Sequence, residues 1–180
     1  MAKSIKFKAK NIINIREEIC KKKKDYWINI RNTNLLNTKE VKNGYRKYDL
    51  KALYNEIMQM SNKLVYIKGM LAALNTGATT FDKNAFEKTN NYNIFMATEI
   101  KEAIAQLKMI PTIDPATKSK KGGAAKMGKS EVFTSAKIAQ LIKDLNLKAT
   151  KYNNNMEEFN TNTDIDVTTV ADMIKDDLIA

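Results

Sequence analysis

The sequence predicts an all-α protein: long antiparallel helical hairpins or a coiled-coil-like bundle, with a short C-terminal helix. Three observations carry this. Several long stretches repeat apolar residues at alternating steps of three and four. Only six glycines and two prolines occur in 180 residues, whereas a many-stranded sheet needs turn residues at short intervals. Finally, capping residues stand at the edges of the repeating stretches.

From Ser4 to about Arg31, Ile5, Ile12, Ile19 and Tyr26 recur every seven residues, with Ala9, Ile15, Trp27 and Ile30 beside them. That spacing predicts the first helix. Ile5, Phe7 and Ala9 also alternate with lysines, so a short initial strand is a second reading. The run Lys21, Lys22, Lys23 and Lys24 lies where the apolar seam passes. It reads as a solvated helical face or, more sharply, as a phosphate contact. Residues 32–47 are polar and show no period, which predicts a connection.

Leu50, Leu53, Ile57, Met60, Leu64, Ile67, Leu71 and Leu74 then follow the three-four spacing without a miss. Such a repeat keeps one seam facing a partner helix. Asp49 can cap the first turn, Tyr48 and Leu53 have the spacing of a hydrophobic staple, and Gly77 suits a left-handed end. The helix would be roughly 38 Å long, and we take it as the spine. Its simplest partner is the next helix, Phe86–Ile110, across the short turn 76–80.

Phe81 and Asp82 repeat the staple and cap, opening a third helix to about Met109. Its seam is Phe86, Asn93, Met96, Ile100, Ala103, Leu107 and Ile110. Asn93 either sets register within that seam or is solvated near a frayed end. Pro111 stops the helix. Residues 111–133 hold both prolines, three glycines and Lys118, Lys120, Lys121, Lys126 and Lys129, which predicts a mobile loop or crossover. Thr134 caps a fourth helix to about Asn160, with a seam of Ile138, Ile142, Leu145, Ala149, Tyr152, Met156 and Phe159. After a break at 161–166, Val167, Val170, Ile174 and Leu178 outline the short terminal helix. The regions are thus 1–110, a three-helix part; 111–133, a basic connection; and 134–180, a helix plus a short acidic helix, all within one domain.

Composition narrows the chemistry. Histidine is absent and Cys20 is the lone cysteine, which excludes Ser–His and Cys–His nucleophilic machinery, a disulfide framework and a cysteine zinc site. Adjacent acids such as Glu17–Glu18 point in different directions on a helix, so they are not general acid/base pairs. Asp172 and Asp176 share a face but lack calcium-loop spacing and read as solvated. Gly123, Gly128, Lys129 and Ser130 satisfy the P-loop pattern. A nucleotide loop, however, follows a buried parallel strand and opens a helix, and the preceding Pro-Ala-Thr-Lys-Ser-Lys-Lys-Gly is no such strand. We read a chance match. No catalytic, cofactor or metal set is expected.

The formal net charge is +11, and Arg16, Arg31 and Arg46 are the only arginines. Lysine suits diffuse attraction to a polyanion better than base reading, although a lysine- and asparagine-rich composition accounts for the charge equally well. Residues 157–180 carry a net −6, leaving +17 on the first 156. A basic body and acidic end can pair internally or between subunits. Met1 opens a polar segment, and no run approaches about 18 apolar residues. No membrane span is therefore expected, and the location is cytoplasmic, or within a virion for a phage-encoded chain.

The order of these pieces resembles the septicolysin-like family of small bacterial helical proteins. The likeness lies in a leading helix, a polar connection, and a heptad helix ending in the turn Leu74-Asn75-Thr76-Gly77. It continues through a third helix and a basic segment to a late helix ending in the Asn-containing stretch Met156–Asp164. The sequence departs with Asn91-Tyr92-Asn93 where an Arg-Asp pair is usual, and with Thr161 where a tryptophan would follow. The resemblance implies a helical architecture and no catalytic residues.

The function expected from these readings is a non-enzymatic structural, assembly or protein-interaction protein, of the style of phage or mobile-element components. Its partner would be a second copy or another protein. A nucleic-acid-binding accessory protein is the alternative, using Lys21–Lys24 and the lysines of 118–129. An inhibitor or toxin acting on another protein is a third.

Overall fold

Helix α3 organises the chain, and the reason is visible in what it buries. The computed structural model describes residues 6–113 and 129–165. In it, Leu50, Leu53, Ile57, Met60, Leu64 and Ile67 are buried along one face of the helix, which spans Leu50–Asn75. Leu71 is half-buried and Leu74 exposed, so the seam fades over the last two positions. A second stripe, Ser61, Val65 and Gly69, is buried as well. The spine thus has neighbours on two sides. The Asp49 carboxylate accepts from the Lys51 and Ala52 N–H groups at its start. At its end Gly77 turns left-handed at φ +82°, and the Gly77 and Ala78 N–H groups donate to Leu74 and Ala73. That pairing satisfies carbonyls the helix would otherwise leave open.

The described residues hold six helices and two short strands. Helix α1 runs Ala9–Thr33, and the connection after it contains strand β1, Leu35–Asn37, and helix α2, Thr38–Lys42. After α3 come α4, Lys83–Phe86, α5, Asn90–Lys108, β2, Lys129–Glu131, and α6, Ser135–Asn162. Residues 6–8 take no regular structure, so no initial strand occurs there. The 111–133 region and the short terminal helix fall mainly or wholly outside the described residues.

Two expectations about connections are corrected. The 32–47 stretch is structured: β1 pairs antiparallel with β2, Leu35 opposite Glu131 and Asn37 opposite Lys129, and Asn37 and Glu40 close a capping box on α2. A strand of three residues is too short to show a period. The third helix is also interrupted, because Thr89 restarts it by accepting from the Tyr92 N–H. Phe86 turns inward instead, toward Phe81 at 5.2 Å between ring centres, as the staple spacing predicts. Pro111 stands just beyond the end of α5, and the Thr134 hydroxyl caps α6 by accepting from Lys137.

The four long helices run alternately. Tyr54 meets Trp27, and Glu56 meets Lys22, so α1 and α3 are antiparallel. Phe86 stands on Gly69 while Ile100 lies beside Met58, which sets α5 antiparallel to α3. Asn90 with Asn160, and Asn93 with Asn155, set α6 antiparallel to α5. The most extensive packing joins α1 to α3 and α5 to α6, with α3 and α5 in contact between the pairs. The partner of the spine is therefore first α1, not the helix across the 76–80 turn. One hydrophobic core takes Trp27 and Ile30 from α1, Leu50–Met60 from α3, Ile100–Leu107 from α5 and Ile138, Leu145 and Ala149 from α6. It crosses the boundary between the 1–110 and 134–180 regions.

Asn34 ties one end of this bundle and was not singled out by its sequence. Fully buried, its amide donates to the Pro111 and Phe133 carbonyls at 2.8 and 3.0 Å. Its oxygen accepts from the Val132 and Phe133 N–H groups. All four of its hydrogen-bonding capacities are used.

Candidate functional site

The lysine run on α1 divides. Lys21, Lys22 and Lys24 are exposed, and Lys22 lies 3.7 Å from Glu56. Lys23 is buried between helices: its ammonium donates to Glu99 at 2.5 Å and Glu102 at 2.8 Å. As a polyanion contact Lys23 is therefore withdrawn, since its charge is already matched inside the fold. Lys118, Lys120, Lys121 and Lys126 lie outside the described residues, as do Gly123 and Gly128. Lys129 and Ser130 sit in β2, where the Ser130 hydroxyl and carbonyl accept from Arg46. A strand paired antiparallel is not the helix start that phosphate cradling requires. Asn93 is buried rather than solvated, bonded to Asn155 at 3.3 Å.

A feature the sequence did not single out is the groove between α3 and α6. Both helices pack on α5 but approach each other much less closely. Two adjoining cavities, of about 290 and 490 Å³, share Asn62, Met96 and Lys148 in their walls. The first is largely apolar in lining, with Met58, Ile100, Leu141 and Leu145 around Tyr54, Ser61 and Asp144. The second is lined by Tyr66, Tyr92, Lys151 and Tyr152. From Leu141 to Tyr152 the groove follows α6 for about 17 Å, three helical turns. Such volumes and mixed linings are typical of binding clefts.

Ser61 gives the groove its most informative atom. The residue is 2% exposed, it lines the apolar cavity, and its hydroxyl has no hydrogen-bond partner. An unpaired buried hydroxyl costs about 1–3 kcal/mol. Methionines at Met58 and Met96 add side chains that adapt to varied shapes.

Electrostatics grade along the groove. Burial pushes the Glu99 carboxyl up, yet the hydrogen bonds and charges of Lys23 and Lys68 outweigh it and hold the pKa below the ordinary carboxylate range. Lys68 donates to Glu99 at 2.7 Å, so Glu99 is ionised and matched. At the other end burial raises Tyr92 and Tyr152, and each hydroxyl lies near enough to influence the other. A hydrogen bond to Glu87 raises Tyr66. These phenols are neutral donors at physiological pH.

The arrangement can bind; it offers no nucleophile–base pair for covalent chemistry. Among the described residues no three His, Cys, Asp or Glu side chains are placed to hold a metal ion, and no helix is long and apolar enough to cross a membrane. No family model, curated protein or solved structure matches this chain.

Proposed function

We propose that the protein is a non-enzymatic helical interaction module that receives an amphipathic, acidic helical segment of a partner protein in the α3–α6 groove. The observation that carries this is the unpaired Ser61 hydroxyl beneath an uncovered, methionine-lined cleft. Charge complementarity selects the occupant: Lys148 and Lys151 line the cleft of a chain whose net charge is +11. A three-turn helix with apolar residues at i, i+4 and i+7 matches the groove's length, the usual geometry of helix-in-groove recognition.

The test is fluorescence anisotropy with a labelled 18-residue leucine/glutamate amphipathic peptide and the full chain. Saturable binding that is lost in Met96→Trp, a half-buried position where both cavities meet, supports the reading, provided circular dichroism shows the variant folded. Absence of binding sinks it. Sedimentation velocity on the chain alone addresses self-assembly, where a dimer dissolved by the same substitution makes a second copy the occupant instead.

A second reading, polyanion binding, draws on the exposed Lys21 and Lys24, which have no acidic partner within 4 Å. Retention on DNA or RNA at about 50 mM salt, where counterion release favours binding, checks it. No retention removes it.

A further inference from the structure

We infer that the tyrosine end of the groove is a carboxylate-receiving site, formed by Lys148, Lys151, Tyr92 and Tyr152, which seats an acidic side chain of the bound segment. This rests on the groove being the interaction surface proposed above. The argument is one of unmatched charge. Lys148 and Lys151 both line the 490 Å³ cavity, and neither has an acidic partner within 4 Å. The nearby carboxylates are engaged elsewhere. Asp144, one helical turn before Lys148 and well placed to pair with it, accepts from the Gln140 amide at 2.8 Å instead. Glu87 takes the Tyr66 hydroxyl, and Glu99 takes Lys23 and Lys68.

Two ammonium groups therefore share a half-enclosed cleft with phenol donors and without a counter-ion. Tyr92 and Tyr152 stack edge-to-face at 6.1 Å, which fixes their rings between α5 and α6. Ammonium and phenol donors converging on one oxygen pair make charge-assisted hydrogen bonds, roughly twice as strong as neutral ones. The three arginines, whose planar fork favours phosphate, are not among the lining residues. A carboxylate is the matching anion.

The experiment compares three 18-residue peptides with one leucine pattern and Glu, Gln or Lys on the polar face, titrated onto the full chain by fluorescence anisotropy. The Glu peptide is expected to bind about tenfold more tightly than the Gln peptide, the worth of one charge-assisted contact, and the Lys peptide more weakly still. In the Lys148→Gln/Lys151→Gln double variant the Glu and Gln peptides converge. Tyr152→Phe, which keeps the ring, is expected to reduce the preference about threefold. Equal binding of the Glu and Gln peptides overturns the carboxylate site while leaving the groove reading intact. A Glu preference that survives the double variant also overturns it, placing the attraction elsewhere on this basic chain. Failure of all three peptides overturns the groove reading itself.

Discussion

The Lys23 ammonium donates to the Glu99 carboxylate at 2.5 Å, with both side chains no more than 5% exposed. Lys23 belongs to α1 and Glu99 to α5, so a fully desolvated ion pair joins helices that otherwise meet mainly through α3. Removing one partner of such a pair leaves the other buried and uncompensated, typically at about 3–5 kcal/mol. Lys68 and Glu102 remain nearby to share the loss. We therefore expect Lys23→Ala to destabilise by about 3 kcal/mol in urea unfolding. The double replacement Lys23→Met/Glu99→Leu is expected to regain most of that. A double variant no more stable than Lys23→Ala would contradict this account.

The same cluster makes stability depend on acid. Burial raises the Glu99 pKa, but Lys23 and Lys68 lower it further, leaving the folded value below the unfolded one. A depressed carboxylate pKa contributes stability fully above the unfolded value and loses it as pH falls through the folded one. The urea midpoint should therefore hold between pH 7 and 6 and decline below about pH 4. Glu99→Gln is expected to flatten that decline. An equally steep decline in the variant would show that other carboxylates govern it.

How much of this was legible beforehand follows from the range of each interaction. The Leu50–Ile67 seam was readable because a buried helical face repeats locally, and the caps at Asp49, Asp82 and Thr134 because their donors lie two or three residues away. Lys23 had a signal as well, standing one helical turn after Ile19 and two turns before Ile30 along the seam. A run of four identical residues does not reveal which one turns inward. The β1–β2 pairing, the Asn34 tie and the α3–α6 groove depend on segments far apart in the chain, and no local period encodes them. The break at Thr89 was hidden for the same reason: Phe86 leaves the expected helix to meet Gly69.

That contact predicts an unusual result at Gly69, in the buried stripe of α3. A methyl group built there would lie 2.5 Å from the tip of the Phe86 ring. Tyr66, Phe81, Tyr92 and Phe95 surround the ring, which limits its retreat. Alanine is worth about 1 kcal/mol over glycine in a helix interior, whereas overpacking costs about 1–3 kcal/mol. Gly69→Ala should lower the thermal midpoint despite its better helix propensity. In a Phe86→Leu background the same change should raise it, and a fall in both backgrounds would refute the steric explanation.

Asn34 provides the sharpest test of how the bundle end is held. Its side chain supplies two donors and accepts two backbone bonds, linking the residue after α1 to Pro111 and to the Val132–Phe133 backbone. Asn34→Ala strands two carbonyls and two N–H groups together, and each buried group left unpaired costs about 1–3 kcal/mol. Water entry would relieve part of this, so about 3 kcal/mol of destabilisation is expected. Asn34→Asp keeps the acceptors but introduces a buried charge and loses the donors, so it should fare no better. Hydrogen exchange separates this local role from a general loss of stability. The Val132 and Phe133 amides should exchange much faster in Asn34→Ala, while the mid-α3 amides of Ile57 and Leu64 change only by the global loss. Unchanged protection at Val132 and Phe133 would mean that β2 and the α6 entry are held without Asn34.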